Sequence, residues 1–244
     1  GYDFVDDDTT PFDDCQGHGT HCAGIAVGTT FGVAPGATLH NLRMLGCDGV
    51  GSNDNLIAAL EWVAAHPASP KVVSLSLGSS YSSSVNAAVA ALVTANITVV
   101  AAAGNDASDA CNFSPASAPE SITVGATNID DEAAYFSNYG ACVNLLAPGE
   151  DILSAYIGPS SASKVLSGTS MACPHVTGVV AQLLEREPAL SPAAIMSTLV
   201  ARAAPDRISD PLNLNQNKPN LLVQAVEPLS PPPNPPAPPL PPRP

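Results

Sequence analysis

The 244-residue chain has few aromatic residues (5%) and few charged residues (12%). The charged share is about half of the roughly 25% typical of globular proteins. Positive charge is scarcest, with 8 Lys and Arg against 22 Asp and Glu and a formal net charge of -14. A surface so poor in cations repels phosphate groups, which argues against nucleic acid and anionic membranes as partners. Hydrophobic residues still make up 45%, so a core of small apolar side chains is expected.

The chain also lacks a long uninterrupted apolar run. Its longest near-apolar window, 87–104, is broken by Thr94, Asn96 and Thr98. These polar residues predict a helix, a turn and a strand rather than a segment that crosses a bilayer. We therefore expect no membrane-spanning element.

Apolar strand patterns alternate with segments of helical period. Such alternation predicts βαβ units and an α/β fold, with a mainly parallel sheet covered by helices on both faces. Ligands of such sheets bind beyond the carboxyl ends of the strands. The predicted strands are 38–45, 71–77, 97–103, 121–126 and 143–147, and the predicted helices are 54–66, 85–95, 169–185 and 192–201.

The end of the chain differs in composition from the rest. Residues 228–244 contain 11 prolines in 17 positions. Each proline removes a backbone N–H and fixes φ, so this segment is expected to be an extended polyproline II linker. Pro238, Pro241 and Arg243 also match a pattern that aromatic-lined grooves bind. Any proline-rich segment matches this pattern easily, so we favour the linker interpretation. We expect one domain over 1–227.

The first motif with chemical content is GHGTHCAG, at 17–24. Glycines flank His18, which allows other backbone to approach it closely, and a helix of small residues follows. Taken alone, the motif has a second interpretation. Cys15, His18, His21 and Cys22 have the spacing of four zinc ligands.

Two further motifs carry polar side chains at the ends of predicted elements. Asn105 follows the apolar run 101–103, where an Asn either starts a turn or directs its amide into a site. Ser170 lies in SGTSMACPH, at the first turn of a predicted helix. A lone serine at this place is usually a helix cap.

Together, GHGTHCAG, AAAGN and SGTSMACPHV, in this order, resemble the subtilisin-like serine proteases, especially the proteinase K and aqualysin branch. SLSLG (74–78) and FSNYG (136–140) extend the resemblance over most of 1–227. It implies a three-layer α/β domain with a mainly parallel sheet flanked by helices. The zinc interpretation explains only the first motif.

By this resemblance, Ser170 is the nucleophile and His18 the general base. The backbone N–H of Ser170 and the amide of Asn105 hold the oxyanion. The family's acid is an Asp that ends a strand well before the histidine, but only 17 residues precede His18. None of the acids there follows a recognisable strand, so we assign none. We expect the N-terminal part with the first catalytic strand to be missing, and the chain alone to be weakly active and poorly stable.

The resemblance also implies that the substrate binds as an extended strand between two segments of the chain. The matching residues are small or apolar, so the pocket is expected to take apolar or aromatic side chains and to reject Lys and Arg. They are Gly49, Val50 and Gly51 on one side, Ser76, Leu77 and Gly78 on the other, and Ala103 and Gly104 in the specificity pocket.

Four of the six cysteines match positions that are bridged in aqualysin-like relatives, and the residues alone leave the pairing open. The implied disulfides are Cys15–Cys47 and Cys111–Cys142. Disulfides indicate an oxidising compartment and thus a secreted protein.

The two remaining cysteines, Cys22 and Cys173, are expected to be free and buried, although a third bridge is an alternative. Sequons at Asn96 and Asn112 agree with secretion.

The chemistry that the resemblance implies needs no cofactor, but relatives often bind a structural calcium ion. One such site uses carbonyls that match Pro119 and Ser121, together with a carboxylate where this chain has Asn144. The acidic residues between 6 and 14 form either a solvated loop or a cation site.

The leading hypothesis is a secreted, monomeric serine endopeptidase that acts on polypeptides. The alternative is a catalytically silent subtilase-like binding module tethered by the proline-rich linker. His18, Asn105 and Ser170 favour the enzyme, because a silent module has no need of an oxyanion donor.

Overall fold

The structure, a computed structural model, describes residues 1–66, 70–210 and 220–226. The predicted linker at 228–244 and the boundary at 227 lie outside these residues and stay predictions. In chain order the strands are β1 (Tyr2–Asp3), β2 (Leu42–Arg43), β3 (Val72–Leu75), β4 (Ser79–Ser80), β5 (Thr98–Ala102), β6 (Phe113–Ser114), β7 (Ile122–Thr127), β8 (Leu145–Pro148), β9 (Ile152–Ala155), β10 (Ser163–Leu166), β11 (Ala204–Pro205) and β12 (Leu221–Leu222). The helices are α1 (His18–Val27), α2 (Asn53–Ala65), α3 (Ser83–Thr94), α4 (Thr169–Arg186) and α5 (Pro192–Arg202), with a 3-10 turn at Ala110–Asn112.

The central sheet has the strand order β11-β12-β8-β7-β5-β3. Every neighbouring pair is parallel except β11 and β12. All residues of β5 and β7 are buried, as expected of strands that helices cover on both faces. The predicted α/β class with a mainly parallel sheet is confirmed.

Successive residues of β5 point into two different core layers. Val100 packs with residues of α4 and α5, whereas Val99 packs with residues of α2 and α3. Because side chains alternate along a strand, one strand fills the core on both faces of the sheet. The result is the three-layer architecture that the resemblance implied.

The four helices predicted by their period agree with the structure to within two residues at each end. The strand prediction at 38–45 is wrong for most of its length, because only Leu42–Arg43 pairs, and its partner is β1 rather than the central sheet. The strand predicted at 71–77 ends at Leu75, where the chain leaves the sheet. In the described part of the chain, β3 pairs only with β5 and forms an edge of the sheet.

The antiparallel hairpin of β9 and β10 was not predicted. It packs on α1, where the Ser154 hydroxyl donates a hydrogen bond to the carbonyl of His21. The His21 ring Nε2 lies 3.1 Å from the carbonyl oxygen of Ile152 and 2.9 Å from that of Lys164. His21 therefore joins the helix to the hairpin. None of the helices in the described ranges is long and apolar enough to cross a membrane.

Candidate active site

His18 is the first residue of α1, and the chain before it holds the helix end in place. Gly17 has φ of 85°, and a Cβ there would lie 2.4 Å from the Tyr156 ring, so only glycine fits. The Asp13 carboxylate accepts hydrogen bonds from the N–H of Gly17 (2.7 Å) and from the N–H and hydroxyl of Thr20 (3.0 and 2.8 Å). These bonds satisfy N–H groups that a helix start leaves free.

The His18 imidazole is half-buried. Burial lowers its pKa from the usual 6.5, the nearby His21 adds to this, and Asp13 opposes it. Its Nε2 lies 3.9 Å from the Cys22 thiol. Within residues 1–66, 70–210 and 220–226, no carboxylate forms a hydrogen bond with His18. The ring is therefore neutral at neutral pH and free to accept a proton.

Ser170 is the second residue of α4 and exchanges hydrogen bonds with Ser76. The Ser170 hydroxyl donates to the carbonyl of Ser76 at 3.3 Å, and the Ser76 hydroxyl donates to the carbonyl of Ser170 at 2.9 Å. The Cys22 thiol donates to the same Ser170 carbonyl at 3.3 Å. Cys22 thus contacts both His18 and Ser170. The Ser170 hydroxyl is hydrogen-bonded to the Ser76 carbonyl and not to His18.

Asn105 follows β5 after Gly104, and its amide has a fixed orientation. The Asn105 Oδ1 accepts hydrogen bonds from the backbone N–H of Thr169 at 2.8 Å and from its hydroxyl at 2.9 Å. In the described part of the chain, the Asn105 Nδ2 has no protein partner, and the residue is exposed. The amide therefore presents its N–H groups to the cleft.

Two neighbouring grooves bring together the residues expected to bind substrate. The first, of about 460 Å³, contains His18 together with Gly49, Val50, Gly51, Ser76, Leu77 and Gly78. The second, of about 310 Å³, shares Leu77 and Gly78 with the first and adds Ala103, Gly104, Asn105 and Ser170. The chain leaves the sheet after Leu75, so Leu77, Gly78 and Ser79 line both grooves instead of extending β3.

The zinc interpretation of the first motif is wrong. Cys15 forms a disulfide with Cys47, and His21 is engaged by two carbonyl groups. Among the described residues, no group of three or more His, Cys, Asp or Glu side chains is arranged to hold a metal ion.

The structure also joins Cys111 to Cys142 and leaves Cys22 and Cys173 as free thiols, of which Cys173 is buried as expected and Cys22 is only half-buried. Burial raises the pKa of Cys22 to about 12. Burial likewise raises the pKa of Cys173. Both free cysteines are therefore thiols, not thiolates, at neutral pH.

Asn144 takes the place of the carboxylate at the calcium position that the resemblance implies. Asn144 brings no charge, and its Oδ1 accepts the backbone N–H of Thr123 at 2.7 Å. Near the N-terminus, two of the acidic residues pair with a cation of the chain. Arg43 lies 2.6 Å from Asp3, which is 1% exposed, and 2.7 Å from Asp6. Burial raises the pKa of Asp3, but backbone N–H groups and Arg43 outweigh it and lower the pKa.

Sequence reasoning missed the contacts that orient the three expected catalytic groups, although it named Ser76 as a substrate-binding residue. Asp13 holds the start of α1, Thr169 holds the Asn105 amide, and Ser76 holds the Ser170 hydroxyl. Thr169 had a signal in the sequence, because it precedes Ser170 in the same motif. Asp13 had none, since several other acids surround it.

Comparison with known proteins gives consistent matches along the chain. A sequence model of the subtilase family matches residues 2–224. The extracellular serine proteinase of Thermus sp. (strain Rt41A) is 48% identical over 210 residues, which cover 86% of this chain and 50% of that protein. The alkaline serine exoprotease A of Vibrio alginolyticus is 43% identical over 210 residues, 86% of this chain and 39% of that protein. The chain thus spans about half the length, or less, of these curated relatives.

A solved structure agrees at the level of the fold. The crystal structure of a cold-adapted subtilisin-like serine proteinase has a TM-score of 0.88 and 40% sequence identity, and the match covers 93% of this chain and 80% of that one. Sequence motifs, sheet topology and these matches all lead to one assignment. The chain belongs to the subtilase family.

Proposed function

We propose that the chain carries the catalytic site of a secreted serine endopeptidase, with Ser170 as nucleophile, His18 as general base and Asn105 as oxyanion donor. One observation carries the proposal. The Asn105 amide is held at its oxygen by Thr169 and offers its N–H groups to the groove that Ser170 lines. A serine that served only as a helix cap would need no such donor.

The reaction begins when the Ser170 hydroxyl turns from the Ser76 carbonyl towards the Nε2 of His18. Catalytic hydrogen bonds of this kind often form fully only when substrate is bound. As the oxygen attacks the peptide carbonyl, the neutral His18 takes its proton. The imidazolium then gives this proton to the leaving amine, and a water molecule repeats the sequence on the acyl-enzyme.

The negative charge that develops on the carbonyl oxygen is held by the backbone N–H of Ser170, at the start of α4, and by the Asn105 Nδ2. The N–H groups of a helix start favour an anion. Losing one donor of this kind lowers turnover by about 10² to 10³. Asn105→Asp is expected to be at least as damaging, since it replaces a donor with a charge that repels the oxyanion.

The family's acid has no counterpart among the described residues that contact His18. A carboxylate in that position fixes the tautomer of the histidine and stabilises its charged form, and its loss costs on the order of 10⁴ in turnover. The 244-residue chain alone is therefore proposed to be a weak catalyst. A segment that brings a carboxylate to the His18 Nδ1 would restore the rate.

The two grooves support an extended polypeptide as substrate. The pocket beside Ser170 is lined mainly by small or apolar residues, with Asp106 as its charged member among the described residues, so side chains before the scissile bond are proposed to be apolar or aromatic. Comparing amide substrates with Phe, Leu and Lys at this position tests the preference, and faster cleavage after Lys would contradict it. The disulfides support an oxidising compartment, as does a relative named as extracellular. The active form is proposed to be a monomer.

Labelling with a fluorophosphonate tests the proposal, because this probe reacts with a serine only where a base and an oxyanion site activate it. The 244-residue chain is expected to be labelled slowly at Ser170, and Ser170→Ala should abolish the labelling. Ser167→Ala, three residues away in the same motif and exposed, is the matched control and should leave it unchanged. A folded chain whose Ser170 gains no more label than the alanine variant would instead support the silent binding module.

A further inference from the structure

The segment FSNYG, at 136–140, has no part in the proposed chemistry, yet it runs beside the loop that carries Asn105. Four backbone hydrogen bonds of 2.8 to 3.0 Å join the two stretches. They run from Asn138 to Gly104, from Ala107 to Phe136, from Tyr139 to Ser108 and from Ala110 to Tyr139. The pairing continues past Asn105 on its C-terminal side, and the Cys111–Cys142 disulfide closes the far end of both stretches.

The side chain of Asn138 makes the closest connection to this loop. It is 0% exposed, and its Oδ1 accepts hydrogen bonds from the backbone N–H of Asp106 at 2.8 Å and of Ser108 at 3.1 Å. Its Nδ2 donates to the carbonyl of Ala103 at 2.9 Å. One buried amide thus binds the backbone on both sides of Asn105.

The fit between Asn138 and the loop is tight. Gly104 has φ of 103°, and a Cβ there would lie 2.3 Å from the Asn138 Nδ2. Asn138 is itself fixed to the central sheet through Ser137, whose hydroxyl donates to the Asn138 carbonyl and accepts the N–H of Ala126 in β7. The loop that carries Asn105 is therefore anchored, through Asn138 and Ser137, to the buried strand β7.

We infer that Asn138 is a positioning residue for the oxyanion donor, an inference that rests on the proposed function. Thr169 fixes the orientation of the Asn105 amide, and Asn138 fixes the backbone from which this amide projects. A donor works only within a fraction of an ångström of its productive place, and an error of about 1 Å costs about 10² in rate. Asn138 touches no substrate and acts only through Asn105.

A double-mutant cycle tests this, with the rate of Ser170 phosphonylation by a fluorophosphonate as the readout. Asn105→Ala is expected to slow labelling by about 10² to 10³, and Asn138→Ala by about 10 to 10². In the Asn105→Ala background, Asn138→Ala should change the rate less than about 3-fold, because the group that it positions is gone. Asn144→Ala, which removes another side-chain acceptor of a backbone N–H, is the matched control: it should lower the melting temperature and leave the rate unchanged.

Two results would overturn the inference. The first is an Asn138→Ala variant that is labelled at the parent rate. The second is that Asn138→Ala slows labelling by the same factor in the parent and in the Asn105→Ala variant, which would show a general structural effect. If Asn138→Ala lacks a cooperative unfolding transition, the same cycle is run with Asn138→Asp. That variant keeps the acceptor for Asp106 and Ser108 but loses the donor to Ala103, and it is expected to slow labelling only where Asn105 is present. A parent chain that is never labelled would refute the proposed function itself, and the inference with it.

Discussion

The carboxylate of Asp13 is expected to hold the start of α1, and with it His18, more than any other acid in its neighbourhood. It accepts four hydrogen bonds, of which the longest, from Gln16, is 3.3 Å. Bonds to a charged group contribute about 1.5–3 kcal/mol when buried, but Asp13 is partly exposed, and losing an Asp cap costs about 0.5–2 kcal/mol. Asp13→Ala should therefore cost about 2 kcal/mol, or about 4–8 °C in melting temperature for a chain of this size.

The neighbouring Asp14 provides the control, since Asp14→Ala removes the same charge from an exposed side chain that makes no hydrogen bond within the described ranges. Thermal unfolding of both variants and the parent at pH 7 measures the difference. Equal melting temperatures for the two variants would refute the reasoning.

The same interaction has a defined pH dependence. Burial raises the pKa of Asp13, but the N–H groups of Gly17 and Thr20 outweigh it, and the pKa lies below its usual 3.8. The stability that Asp13 contributes is therefore fully present above pH 3.8 and is lost as the pH falls through the lowered pKa. The difference between Asp13→Ala and the parent should shrink in that range, and a difference that stays constant down to about pH 2 would contradict the assignment.

Two further predictions follow from the same site. Burial lowers the pKa of His18. The rate of Ser170 phosphonylation should therefore fall on acidification with a midpoint below pH 6.5. A midpoint above that value would show that His18 has a carboxylate partner, which the described residues lack. Replacing Cys111 and Cys142 together by Ser opens a disulfide with a sequence separation of 31 and should lower the free energy of unfolding by about 3–4 kcal/mol. Urea titration measures this loss. An unchanged urea midpoint would show that the backbone pairing alone holds the Asn105 loop.

Most of the fold was predictable from local patterns. Four helices have apolar residues at helical period, and β5 and β7 are short apolar runs between turns, so their assignment needed no tertiary information. The segment 38–45 was also predicted as a strand, but only Leu42–Arg43 forms one. A strand forms only where the edge of another strand is available for pairing. The hairpin of β9 and β10 escaped prediction since its stability comes from packing on α1.

The candidate site was predictable only as a set of residue types. The motifs identified His18, Asn105 and Ser170 as candidates. Nothing in the motifs indicated that the Ser170 hydroxyl donates a hydrogen bond to the Ser76 carbonyl. Nor did they indicate that the Asn105 side-chain oxygen accepts hydrogen bonds from Thr169. These are contacts between residues more than sixty positions apart in the chain.

The amino-acid sequence by itself determined the fold class, the family and the three groups proposed to react, because short motifs and the period of apolar residues are local properties. Tertiary structure alone decided how these groups are oriented. Asn138 shows the reason: its amide is an ordinary polar side chain in the sequence, and it acquires a role only where the parallel sheet brings the end of β5 beside the segment that follows β7. Such proximity depends on the packing of the whole chain.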